Sequence, residues 1–159
     1  MTISIRPATR DDVPLILRFV RELAAFEREP DVVEATEAML ETALFEDKAA
    51  EAVIAERDGE ASGFAVFFHN FSTWTGRKGL YLEDLYVTPQ ARGSGIGSAL
   101  LRHLAGLAIE RDCARFEWAV LDWNRPAIDF YTAMGAEMLS DWRIERVAGK
   151  ALAQLRGPE

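Results

Sequence analysis

The stretch that most limits the possible folds is Tyr81–Ser98, Y-L-E-D-L-Y-V-T-P-Q-A-R-G-S-G-I-G-S. A strand-like run from Leu80 to Val87 meets Thr88-Pro89 and passes Gly93, Gly95 and Gly97 before a helical period begins at Ile96. Glycines lack a Cβ, so backbone N–H groups in such a turn converge on a ligand. The helix N-terminus behind it adds the positive end of a dipole, and Arg92 adds a fixed charge. Together these make a phosphate cradle. Two common cradles are excluded. A phosphate-loop ATPase needs Lys-Ser/Thr after the last glycine, and here Ser98-Ala99 follows Gly97. A dinucleotide fingerprint needs Gly-x-Gly-x-x-Gly near the start of a βαβ unit, whereas these glycines are evenly spaced and follow several strands. A turn that binds nothing is the bland alternative, and three glycines behind an arginine argue against it.

The remaining pattern gives the layers around that turn. Thr2 to Arg6 alternates as a strand, and Thr9 with Asp12 marks a helix start. Val13, Ile16, Leu17, Val20 and Ala24 then repeat at helical spacing, predicting an amphipathic helix over Asp11 to Phe26. A second helix is expected from Thr36 to Phe45. Ala52 to Glu56 and Gly63 to His69 flank Asp58-Gly59, a hairpin turn signal. A helix from Ile96 ends before Asp112, and Phe116 to Leu121 reads as a strand. Asn124 and Pro126 open a helix that Gly135 closes, and Trp142 to Val147 reads as a last strand. The order β-α-α-β-β-β-α-β-α-β predicts an α/β (α+β) fold, a mixed sheet flanked by helices. No linker or repeat divides the chain, so residues 1–159 read as a single domain.

Charge narrows the partners. Lys and Arg number 18 against 26 Asp and Glu, a formal net charge of −8. That lacks the basic footprint of a nucleic-acid binder and would be repelled by anionic lipid, while a cationic small molecule is compatible. The single Cys113 excludes an intramolecular disulfide and a Cys-rich zinc site, and His69 and His103 lack metal-pair spacing. No metal, nucleic acid or membrane partner is expected. No run approaches 18 apolar residues and Met1 to Ala8 has no apolar signal core, so a cytoplasmic location is expected.

Gln90, Gly93 and Gly95 within Q-A-R-G-S-G-I-G-S resemble the acetyl-CoA pyrophosphate loop of the GCN5-related N-acetyltransferases. V-L-D-W-N-R-P-A-I-D-F-Y-T-A-M-G-A, from Val120 to Ala136, is similar to that family's closing strand and helix. R-P-A-T near the start, E-L-A-x-F-E at Glu22 to Glu27, and Y-L-E-D-L-Y-V look most like its diamine (spermidine/spermine) and thialysine branch. The resemblance spans nearly the whole chain. It implies the GNAT fold, with a mostly antiparallel sheet, acetyl-CoA as co-substrate, a small primary amine as acceptor, and a homodimer.

Acetyl transfer from a thioester to an amine needs a neutral amine, a held carbonyl oxygen and a proton for the departing thiolate. The resemblance makes Tyr131 the proton donor, and a phenol of pKa about 10 suits that task. Spacing alone reads Tyr131 as a core aromatic beside Ala127, Ile128 and Met134. Glu83 and Asp84 interrupt an apolar strand, where charge is costly unless exposed, paired or used. Period-two geometry sends them to opposite faces unless a bulge rotates one. The family carries a bulge there. By resemblance, the backbone of Leu85, Tyr86 and Val87 meets the acetyl and pantetheine groups. Arg92, Gly93, Ser94, Gly95, Ile96, Gly97 and Ser98 take the pyrophosphate, and Asn124 and Pro126 orient CoA. Glu83 would relay the substrate proton through water or hold the ammonium, with Asp84 a second amine contact. The alternative for either acid is an ion pair, for example with Arg143.

The polyamine branch ends its first helix with an aromatic-acid pair that contacts substrate, and Phe26-Glu27 fills that position. Phe replaces the Tyr of the animal polyamine enzymes, removing a hydroxyl. A solvated helix-end charge is the alternative for Glu27, and helix capping is one for Asn124. Trp74 and Trp123 are read as entrance or packing residues. Cys113 has no adjacent His, so transfer is expected to be direct. The acceptor is expected to be a diamine, a polyamine or a thialysine/lysine-like amino acid. Two rivals remain: transfer to a protein or peptide amine, and an acyl-CoA sensor without catalysis.

Overall fold

Asp58 and Gly59 take φ of 52° and 85° and join strands β2 (Glu51–Arg57) and β3 (Glu60–Ser72) in a two-residue turn, as the Asp-Gly signal predicts. The hairpin belongs to a computed structural model that describes residues 1–158. The chain divides into two compact units, Met1–Leu121 and the residues from Asp122 onward.

In the first unit, β1 (Ile3–Pro7), β2, β3, β4 (Arg77–Val87) and β5 (Phe116–Trp118) form one sheet in that order. All neighbours are antiparallel except β4 and β5, which pair in parallel. That connection runs through helix α3 (Ile96–Glu110), the crossover that parallel strands need. The mixed, mostly antiparallel sheet matches the sequence expectation. β5 stops at Trp118 rather than Leu121, because its ladder with β4 ends at the Leu82–Trp118 pair.

The two faces of the sheet separate by parity. A Cβ on Gly63 would lie 3.1 Å from Ile96 Cγ2, so Gly63, Ala65 and Phe67 face α3. Phe64 and Tyr86 instead join Ile16 and Phe19 of helix α1 (Val13–Phe26) in a core cluster that also holds Leu44, Ala52 and Ile54. Phe19 and Phe64 are fully buried, each contributing about 1.5–3 kcal/mol by burial. A short helix α2 (Glu37–Glu41) continues as a wider turn over Thr42–Glu46 and supplies Leu44. Two ion pairs share one arginine beside this core. Arg6 of β1 grips both carboxylate oxygens of Asp12, at 2.7 and 2.9 Å, and its Nε donates to Glu56 at 2.8 Å. The Arg6 hydrogen bonds hold the Asp12 carboxyl below its ordinary range.

The second unit contains α4 (Arg125–Ala133), closed at Gly135 with φ of 98°, and α5 (Lys150–Arg156). The expected strand over Trp142–Val147 is not formed among the described residues, and Trp142 and Ile144 are exposed. Alternation describes what a segment does beside a partner. With no strand to pair with inside this unit, W-R-I-E-R-V has no ladder to join. α5 was not expected, although K-A-L-A-Q-L-R consists of strong helix formers. No described helix is long and apolar enough to cross a membrane.

Candidate active site

A break in strand register builds the site. Asp84 pairs with Val66 and Leu82 pairs with Phe67, so Glu83 is an extra residue with no partner on β3. Leu82 therefore shares the α3 face with Phe67, while Asp84 and Tyr86 share the α1 face with Val66 and Phe64. Unbroken alternation would have put Leu82, Asp84 and Tyr86 on one face. The same point ends the pairing on the other side of β4, because β5 reaches only Leu82. From Glu83 to Val87, β4 has β3 on one edge and no described strand on the other. The backbone of Leu85, Tyr86 and Val87 therefore has no described strand partner on that edge.

Glu27 is the C-cap residue of α1, and its charge acts on Asp84. Asp84 is half-buried, and burial first, then the charges of Glu83 and Glu27, push its carboxyl up to about 6. Burial also raises Glu27 above the ordinary carboxylate range. Glu83 itself is exposed. No described residue lowers the Asp84 pKa by donating a hydrogen bond or a positive charge. The charges of three carboxylates thus act on one region, and no described arginine of the first unit pairs with Asp84. A bound ammonium would offset the burial penalty of that carboxylate and the mutual repulsion of the group.

The glycine-rich turn lies beyond Val87. A 3-10 turn over Pro89–Ala91 leads into Arg92, Gly93, Ser94 and Gly95. Gly93 and Gly95 take φ of 78° and 91°, in the left-handed region where any side chain is strained. Gly95 is the N-cap of α3 and provides no side-chain cap. The first-turn N–H groups at Ile96, Gly97 and Ser98 have no carbonyl four residues back within the helix. The Ser94 hydroxyl donates to the Ala91 carbonyl, bracing the turn. Arg92 Nε donates to the Val87 carbonyl at 3.2 Å, while its guanidinium lies 5.0 Å from the Phe26 ring centroid and 5.9 Å from that of Tyr86. The Tyr86 hydroxyl is fixed in turn by Glu22 at 2.8 Å, a contact that sequence reading missed. Backbone donors, a helix dipole and one arginine fit a pyrophosphate group.

The first unit therefore brings together Phe26, Glu27, Glu83, Asp84, the Leu85–Val87 backbone and the Arg92–Ser98 loop. The other expected residues belong to the second unit. Asn124 caps α4 by accepting from the Ala127 N–H at 3.3 Å, and Pro126 sits in the first turn, where no N–H is needed. Tyr131 is half-buried, with its ring centroid 5.5 Å from that of Phe130. Trp74 is 81% exposed in the turn between β3 and β4. It stands at the opposite end of β4 from the glycine turn, about 33 Å away along the strand, and cannot line that end of its own sheet.

This architecture has counterparts of known class. The sequence profile of the acetyltransferase (GNAT) family matches residues 17–136. The chain belongs to the GNAT acetyltransferase family. As an N-acetyltransferase of this family it has acetyl-CoA as its co-substrate class, and the glycine turn fits that cofactor's pyrophosphate. The acetyltransferase is 38% identical to a thialysine N-epsilon-acetyltransferase from Sus scrofa over 98% of each chain. It is 36% identical to a human spermidine/spermine N(1)-acetyltransferase-like protein 1 over 98% of this chain and 24% of that protein. Its structure superposes on an integron cassette protein from V. cholerae with a TM-score of 0.82 at 27% identity, covering 99% of both chains. That agreement supports the sheet order and the flanking helices described above.

Proposed function

We propose that this acetyltransferase moves an acetyl group directly from acetyl-CoA to a small primary amine that carries a second positive charge. The observation that carries the reading is the acidic group at the β4 bulge: half-buried Asp84, with Glu27 and exposed Glu83 close enough to raise its pKa. Such a group favours a diamine, a polyamine or the ammonium groups of a lysine-like amino acid over a neutral acceptor. The names of the thialysine and spermidine/spermine relatives support the same substrate class.

The thioester supplies an activated acetyl group. The chain's own residues do the rest. Asp84 and Glu27 hold the ammonium end of the amine, and Glu83, in contact with solvent, passes the proton lost at the attacking nitrogen to water. The unpaired edge of β4 beside Leu85–Val87 offers backbone groups to the acetyl oxygen and the pantetheine chain. Tyr131 is the proton donor to the departing thiolate by its match to the family motif, with Asn124 and Pro126 opening the helix that carries it. Cys113 takes no part.

Thiol release from acetyl-CoA in the presence of spermidine, putrescine, thialysine, lysine and a peptide amine tests the reading. Saturable release with a small diamine or amino acid is expected, with the peptide amine poor. Tyr131→Phe should lower kcat by about 10²-fold and leave CoA affinity unchanged. Release that saturates only with the peptide would replace the small-amine reading. CoA binding without release across the panel would favour a sensor. We further propose a homodimer located in the cytoplasm, and light scattering at micromolar protein tests the dimer.

A further inference from the structure

Phe26 and Glu27 are neighbours at the end of α1, yet their side chains serve different partners. Glu27 is coupled to Asp84, whereas the Phe26 ring lies against the Arg92 guanidinium. We propose that Phe26 is a positioning residue for the pyrophosphate: with Tyr86 it clamps Arg92, so that α1 orients the charge of the glycine turn. The proposal rests on the acetyl-CoA reading of that turn.

The contacts form a short chain. Glu22 and Phe26 are four residues apart on α1 and therefore share a face. Glu22 accepts the Tyr86 hydroxyl at 2.8 Å, which fixes one ring. Phe26 supplies the second ring, 5.0 Å from Arg92 Cζ, against 5.9 Å for Tyr86. The Val87 carbonyl takes Arg92 Nε at 3.2 Å. Two rings and one carbonyl thus hold the guanidinium, and no described residue accepts from its terminal nitrogens, which remain available to an anion. A free arginine on an exposed turn loses rotamer freedom when it binds an anion, and an arginine already clamped loses less. Phe26 is 48% exposed, so the core does not require it. An aromatic residue half in water on an α-helix is better accounted for by the cation it faces.

The test compares Phe26→Leu, Phe26→Tyr and Glu27→Gln with the parent enzyme, using CoA binding by calorimetry and steady-state kinetics with acetyl-CoA or S-acetylpantetheine. Leucine keeps the apolar contact and loses the ring. Phe26→Leu is expected to weaken CoA binding about two- to fivefold, with a larger loss of kcat/KM for acetyl-CoA than for S-acetylpantetheine. Phe26→Tyr should restore parental CoA affinity. Glu27→Gln should show the converse, a raised amine KM at unchanged CoA affinity. A Phe26→Leu enzyme that loses affinity for the amine but not for CoA would overturn the proposal, as would equal losses with both acyl donors. Parent enzyme that binds no CoA would overturn the acetyl-CoA reading itself, an outcome distinct from CoA binding that is indifferent to Phe26.

Discussion

Asp84 is where folding and function oppose each other most directly. Its carboxyl titrates at about 6 in the folded chain, with burial as the main cause, against about 4 in an unfolded one. The folded state therefore binds this proton more tightly. Below about pH 4 both states are protonated and nothing is lost. Between about pH 4 and 6 the unfolded chain releases this proton while the folded chain keeps it, so stability falls as pH rises and levels off above 6. Asp84→Asn is expected to raise the stability of the unliganded protein at pH 7.5 by on the order of 1–3 kcal/mol, with no gain at pH 4, as denaturant titrations at the two pH values would read. The same variant should bind amines at least tenfold more weakly. Because Glu27 adds to the repulsion at Asp84, Glu27→Gln should move the acidic limb of amine kcat/KM to lower pH. A limb that stays fixed would mean that Glu27 does not act on Asp84. Glu83 and Asp84 were legible because charges inside an apolar strand demand an explanation, whereas Glu27, at a helix end, was named only through the family resemblance. Spacing alone did not give the face of Asp84, because a bulge is set by the register of a neighbouring strand, and only the family resemblance implied one in this strand.

At the scale of elements, the glycine turn depends on how closely β3 approaches it. A Cβ on Gly63 would stand 2.7 Å from the Tyr86 carbonyl and 3.1 Å from Ile96 Cγ2, with both the facing strand and the first residue of α3 as obstacles. Backbone cannot yield as a flexible side chain does. Gly63→Ala should push β3 from β4 at the Gly63–Val87 pair, which adjoins the carbonyl that anchors Arg92. The expected cost is about 1–3 kcal/mol, seen as a lowered Tm, together with weaker CoA binding. A normal Tm with parental CoA affinity would show that the turn tolerates the displacement. Nothing in the run G-F-A-V-F-F-H distinguishes this glycine from an ordinary strand residue, since its constraint lies in Tyr86 and Ile96. α1, α3 and the β2–β3 hairpin were legible because helical period and an Asp-Gly turn are local signals. Trp142–Val147 was misread for the complementary reason: alternation is local, and a ladder is not.

At the scale of the whole molecule, one field acts on two substrates of opposite sign. The chain carries a formal charge of −8, a diamine carries positive charge at neutral pH, and acetyl-CoA is an anion. Long-range attraction should raise the encounter rate of the amine and lower that of acetyl-CoA. Arg92 and the α3 dipole correct the second effect only at short range, within the glycine turn. Salt separates the two ranges, because the screening length falls from about 30 Å at 0.01 M to about 10 Å at 0.1 M. Over that interval kcat/KM for the diamine should fall several-fold, and more steeply than for an amine of single charge. The value for acetyl-CoA should rise or stay level, since screening removes the distant repulsion before it reaches the contact with Arg92. Opposite slopes measured on one preparation exclude a general effect of salt on the fold, which would move both constants together. Parallel slopes would mean that net charge has no bearing on substrate capture, and that the acids at the bulge select the amine by contact alone.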